Sequence, residues 1–209
     1  MQEAKTLKEY KITVDDALEN EFLRSAMDKF AVAYRTGRAN AFAGMDVEDL
    51  VAQIAAAKDA AAARMDELYE EFKQNAEKNG TRVHLVATAQ EANELIAAIA
   101  RDNEAGKIVK SKSMTAEETL LNHHLEAEGF EVIETDLGEW IIQLRGEGPS
   151  HMVMPAIHLS RYQVADLFTD VTGQKQESEI ERLVKVARRE LRQKYVEADM
   201  GVSGANFAL

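Results

Sequence analysis

The chain contains no cysteine. That excludes disulfides, thiolate catalysis and cysteine-ligated metal clusters within these residues. Proline is almost as scarce: Pro149 and Pro155 are the only two and lie close together, so long stretches elsewhere can be helical without interruption. No run approaches the roughly 20 apolar residues that span a bilayer. The opening MQEAKTLKEYKITVDDAL lacks the apolar centre of a signal peptide. Basic residues number 25 against 37 acidic, for a formal net charge of −12. That balance argues against a nucleic-acid surface, which needs clustered Lys and Arg. GxGxxG, P-loop and GxSxG patterns are missing, and the five histidines lack zinc-like spacing, so no metal site is expected. The expectation is a cytoplasmic, soluble protein with no membrane span and no nucleic-acid partner.

The 209 residues suit one α/β domain with an extension, or two small domains, and 45% hydrophobic content is enough to build a core. Residues 1–80 read as a helical N-terminal extension. Asp46 can cap a helix over 47–78, along which Leu50, Val51, Ile54, Ala57, Ala61, Met65, Leu68, Tyr69 and Phe72 recur at helical spacing. From residue 81 the rhythm changes. Val83 to Val86 reads as a short strand, followed by a capping box at Thr88 to Glu91 and a helix to about Asn103. A strand over 107–110, a second box at Thr115 to Glu118, a helix over 116–128 and a strand over 130–133 complete a strand–helix alternation. That pattern predicts a parallel sheet with right-handed crossovers. Met152-Val153-Met154 could be another buried strand. Ser160 to Gln163 resembles a third box, leading a helix to about Val171. Residues 179–198 read as a charged amphipathic helix, and the tail Val202 to Leu209 as the start of a strand.

Three segments could carry chemistry. Lys110-Ser111-Lys112-Ser113-Met114-Thr115 joins a strand end to a helix start, where open sheets bind ligands and helix amides attract anions. Lys110, Lys112, Ser113 and Thr115 are therefore candidate ligand-binding residues; the alternative is an ordinary loop whose hydroxyls cap the helix. Glu134, Asp136 and Glu139 follow the next strand and could bind a cation, accept substrate hydroxyls or transfer protons, or serve as caps in a solvated turn. His151 and His158 titrate near neutral pH and are candidate proton-transfer residues, although their spacing makes a shared metal site doubtful. His84 reads as a packed or edge residue, and His123-His124 as helix surface or packing.

The runs VKSKSMTAEETLLNHHLEAEGFEVIETDLGEWIIQLRGEGPSHMVMPAIH (109–158) and ADMGVSGANFA (198–208) resemble the LutB-type iron–sulfur proteins of bacterial lactate utilisation. The likeness extends more loosely through 58–96 and into the N-terminal helices. The resemblance implies a LUD α/β domain over 81–209, similar to the NagB/RpiA/CoA-transferase group, with an open, mostly parallel sheet. It implies a place in an iron–sulfur subunit of a complex that oxidises L-lactate to pyruvate with two other subunits, or a non-catalytic ligand-binding or assembly role in that complex. A small carboxylate or phosphorylated ligand is the expected guest. Two [4Fe–4S] clusters belong to a cysteine-bearing carboxyl-terminal module that this chain does not contain. The chain is therefore expected to be the amino-terminal piece of a longer protein, cut within the sheet, inactive alone and able to form a homodimer through the uncovered surface.

Overall fold

The computed structural model describes residues 6–151 and 153–205. They fall into two compact units, Met1–Met27 with Ala87–Leu209, and Asp28–Val86. Four helices come first: α1 (Leu7–Glu19), α2 (Glu21–Ala41), α3 (Val47–Ala63) and α4 (Met65–Lys78). Asp46 caps α3 as expected, its side chain accepting from the Asp49 amide. The predicted single helix over 47–78 is interrupted once, at Arg64, where φ is −120°. Neither segment has a buried residue, so no packed face enforces one straight rod. Arg64 instead forks onto Glu67 in the first turn of α4.

The expected strand over Val83 to Val86 does not form. Leu85 is 74% exposed, and β-propensity without a partner or a buried face gains nothing. The chain then enters α5 (Ala89–Asp102), β1 (Lys107–Lys110), α6 (Met114–Glu118), α7 (Leu121–Ala127) and β2 (Glu131–Glu134). It continues through α8 (Leu137–Arg145), α9 (Arg161–Thr172), α10 (Ile180–Glu197) and β3 (Met200–Val202). The three strands form one open sheet in the order β2-β1-β3, all parallel. The capping boxes at Thr88 and Ser160 both form with reciprocal hydrogen bonds.

Period-two alternation sorts the strands onto two faces. Val109 and Ile133 face Trp140, Phe168, Leu183 and Leu191 on one side. Ile108 and Val132 face Ala97, Ala100, Leu121 and Leu125 on the other. The sheet is thus covered by α8, α9 and α10 on one face and by α5, α6 and α7 on the other, as a parallel sheet requires. The outer edge of β2 is closed by a side chain: Gln143 donates to the Val132 carbonyl and accepts from the Glu134 amide, at 2.7 and 3.0 Å. Its primary amide stands where a neighbouring strand would lie.

Further expectations are corrected. The helix over 116–128 is broken at Leu120, which is left-handed with φ 54°; buried Asn93 donates to the Thr119 carbonyl at the break, at 2.7 Å. Ser113, rather than Thr115, caps α6, because its hydroxyl accepts from the Ala116 amide at 3.2 Å. Val153 and Met154 lie in irregular chain instead of a strand, where His151 Nδ1 accepts from both of their amides; Met152 lies outside the described residues. The strand expected from Val202 onward is displaced: β3 begins at Met200 and ends at Val202, residues 203–205 form no strand, and Asn206 to Leu209 lie outside the described residues. Among the described residues no helix is long and apolar enough to cross a membrane.

Candidate active site at the strand ends

Parallel pairing places Lys110, at the end of β1, opposite Glu134, at the end of β2. Lys110 Nζ lies 2.8 Å from Glu134 Oε1, with the two side chains 1% and 6% exposed. Charges buried this deeply persist only as pairs, because the desolvation of either alone costs several kcal/mol (roughly). Asn122 of α7 donates to the same Oε1 at 2.5 Å. The strand register and α7 together hold Glu134 by one oxygen and leave the other turned away from both.

A second pair stands beside the first. Lys112, just past β1, bonds the buried carboxylate of Glu139 in the first turn of α8, and its ammonium is 3.8 Å from Glu117 Oε1 in α6. Burial works against the Lys112 charge. The hydrogen bond and charge of Glu139, with Glu117 and Asp136 behind it, nevertheless hold the ammonium pKa above the ordinary lysine value. Glu117 is shifted the same way for the opposite reason. Burial, then the charge and hydrogen bond of Glu139, push its carboxyl above the usual range, against the pull of Lys112 and Lys110.

These residues wall a cavity of about 350 Å³. Lys110, Glu117, Asn122, Glu134 and Glu139 form its polar side, and Leu120 and Ile142 part of its apolar side. The break at Leu120 matters to this geometry. In one continuous helix Glu117 and Asn122 would stand about 140° apart around the axis, whereas the left-handed residue between them turns both to the cavity. Four of its buried atoms have no hydrogen-bond partner: Lys110 Nζ, Glu117 Oε1, Asn122 Oδ1 and Glu134 Oε2. Lys110 counts among them because its ion contact with Glu134 is not aligned as a hydrogen bond. One ammonium and three oxygens therefore present bonding capacity to whatever enters, and each such buried atom costs about 1–3 kcal/mol while unpaired.

Of the residues expected from sequence, Lys110, Glu134 and Glu139 line this cavity, and Lys112 is bonded to one wall. Ser113 is buried as the cap of α6 beneath Gly204, where a Cβ would lie 2.2 Å from its hydroxyl oxygen. Thr115 is exposed on α6. Asp136 is exposed and caps α8 by accepting from the Gly138 and Glu139 amides. His151 is used in its local turn. His158 contacts Ser150 Oγ at 2.7 Å and Glu147 Oε2 at 3.1 Å. It thus reaches the cavity only through Glu147, whose carboxyl is held below its usual range first by the Arg145 hydrogen bond and then, against some burial, by His158.

Glu117, Asn122 and Gln143 escape the sequence reading. Glu117 sits inside an apparent capping box, which gives its carboxylate another explanation, and Asn122 lies within an apparent helix. The available signal was the poor fit of a mid-helix Asn, whose side chain competes for backbone groups. A larger groove of about 560 Å³ lies between the start of α9 and residues 175–179, but none of the expected site residues lines it. Among the described residues no group of three or more His, Asp or Glu is arranged to hold a metal ion.

An open parallel α/β domain with a polar cavity at the carboxyl ends of its strands is the general class this geometry defines. The chain belongs to the LUD domain family, whose model matches residues 69–209. It is similar to lactate utilization protein B of Oceanobacillus iheyensis, 37% identical over 204 residues, covering 96% of this chain and 42% of that protein. The protein of the same name from Bacillus velezensis is 39% identical over 202 residues, with 96% of this chain and 42% of that one covered. That from Bacillus licheniformis is 37% identical over 204 residues, covering 97% and 43%. The chain thus spans less than half the length of the curated relatives it matches. No solved structure matches it.

Proposed function

We propose that this chain is the LUD-domain portion of an iron–sulfur subunit that serves cytoplasmic oxidation of L-lactate to pyruvate. The observation that carries the reading is identity of 37–39% to proteins named for lactate utilization, sustained across nearly the whole chain. The cavity at the strand ends supports it as a place for a small oxygen-bearing ligand. Lys110 can meet a carboxylate or phosphate oxygen, and Glu134 Oε2 or Asn122 Oδ1 can accept from a hydroxyl. The two [4Fe–4S] clusters of the reading do not fit these residues, because the chain offers no thiolate. They belong to the remaining length of the whole protein.

A second reading is an assembly module that binds other subunits of the complex, or a second copy of itself, without chemistry of its own. It is favoured by the N-terminal helices, where α1 to α4 have no buried residue and Val51, Ile54 and Phe72 are 58%, 47% and 62% exposed. The test is to isolate the native gene product from its own cells and measure its intact mass, iron content and L-lactate-dependent dye reduction. A mass well above 23.3 kDa with iron and lactate-dependent reduction supports the redox reading. An iron-free product of 23.3 kDa with no such reduction removes it and leaves assembly or ligand binding.

A further inference from the structure

We propose that Glu117 and Glu139 share one proton at neutral pH and form the acid–base pair of the cavity, with Lys112 as their counter-ion. This rests on the cavity being a ligand site. It adds a residue, Glu117, and a protonation state to it.

The carboxyl groups of Glu117 and Glu139 face a single ammonium: Lys112 bonds Glu139 and lies 3.8 Å from Glu117 Oε1. Two carboxylates beside one cation repel each other, and a proton retained by one of them removes that repulsion. The charge balance of the wall points the same way. Lys110 and Lys112 oppose Glu117, Glu134 and Glu139, which leaves one negative charge in excess if every group ionises. A single retained proton makes the wall neutral, and an uncompensated charge is what a buried site tolerates least. The other ionisable groups on the cavity are His123 and Glu126 from α7 and Glu147 beyond α8, the last paired with Arg145.

Geometry also selects which member holds the proton. The Glu139 side chain is 6% exposed and bonded directly to Lys112. Glu117 is farther from that ammonium and keeps a buried, unpartnered Oε1 on the cavity wall. Burial and the neighbouring carboxylate favour its protonated form. Beside it, the nearly fully buried Lys110 and Glu134 present an Nζ whose ion contact with Glu134 is not a hydrogen bond and an Oε2 without a hydrogen-bond partner, which marks where a ligand oxygen would be held. From there the Glu117 O–H can break as an O–H forms on a ligand oxyanion, so that the negative charge passes from the ligand to a carboxylate 3.8 Å from Lys112. The reverse step takes the proton of a ligand hydroxyl.

Infrared spectroscopy of the 209-residue chain decides the matter, because the carbonyl stretch of a protonated carboxylic acid lies apart from that of carboxylates. At neutral pH the unsubstituted protein should show this band, shifted by ¹³C-labelled glutamate. Glu117→Gln and Glu139→Gln should each abolish it, since the surviving carboxylate then pairs with Lys112 alone. Trp140 fluorescence monitors folding, and Glu117→Asp, which keeps the carboxyl, serves if the glutamine variants do not fold and should retain a band. Absence of the band in the unsubstituted protein, or its persistence unchanged in folded Glu117→Gln, overturns the proposal. The band requires no lactate and no clusters, so its loss would be distinct from failure of the lactate reading.

Discussion

Replacing Lys110 by Met tests whether the strand-end ion pair is held by burial or is incidental. At 2.8 Å the Coulomb attraction is about 6 kcal/mol for an effective dielectric of about 20. Most of that is spent on removing two charges from water, so the intact pair is close to neutral for stability. Lys110→Met leaves Glu134 charged, 5% exposed and without its cation, and should destabilise the domain by about 3–5 kcal/mol. Glu134→Gln alone should also destabilise, because it strands the ammonium. The double variant should recover much of the loss, giving a favourable coupling of more than about 2 kcal/mol. Urea unfolding followed through Trp140 is the assay. Trp140 is the only tryptophan in the chain, is 1% exposed, and packs on Phe168 at 5.4 Å in the core of the same sheet. Losses that simply add in the double variant would refute the reasoning.

Gly204→Ala should loosen β3, because the new methyl would stand 2.2 Å from Ser113 Oγ and 3.2 Å from its Cα, and backbone must yield. A cost of about 1–3 kcal/mol is expected, read as faster hydrogen exchange of the Ser111 amide, which donates to the Val202 carbonyl; unchanged protection would contradict it. Asp199 accepts from the Lys107 and Gly106 amides, and these bonds hold its carboxyl below the usual aspartate range. Its folded pKa is depressed, so its stabilisation is present above the unfolded value of about 3.9 and is lost as pH falls through the lower folded value. Asp199→Asn should flatten that acid limb in urea midpoints measured across the range; equal slopes would show that the amide bonds do not set it.

Local rules carried the sheet region far. The boxes at Thr88 and Ser160, the strand over 107–110, the strand expected over 130–133 and found one residue later, and the helices after them follow from caps and periodicity within a dozen residues. The failures have one cause in common, which is contact with something distant. Val83 to Val86 has strand chemistry but no strand partner among the described residues, and Leu120 is left-handed where Asn93 takes the carbonyl of Thr119, 26 positions on. The site shows the same divide. Lys110, Lys112, Glu134 and Glu139 were legible because they end strands or begin helices. Their pairing was not, since Lys112 meets Glu139 across 27 positions, and Glu117 becomes a site residue only when that pairing brings a second carboxylate to it.

The strand order carries a consequence for how the molecule is made. β1 lies in the middle of the sheet, yet one of its neighbours arrives late: the contact of Gly106 with Asp199 spans 93 positions. During synthesis β1 and β2 can pair, and Lys110 can find Glu134, while the other flank of β1 still waits for its strand. Parallel closure over so long a loop is slow, because its entropy is lost before the contacts form. In that interval the open flank is a template for any other strand with free amides. The nascent chain is therefore most exposed to mispairing just before β3 emerges, and a chaperone that shields the flank of β1 would act at that stage.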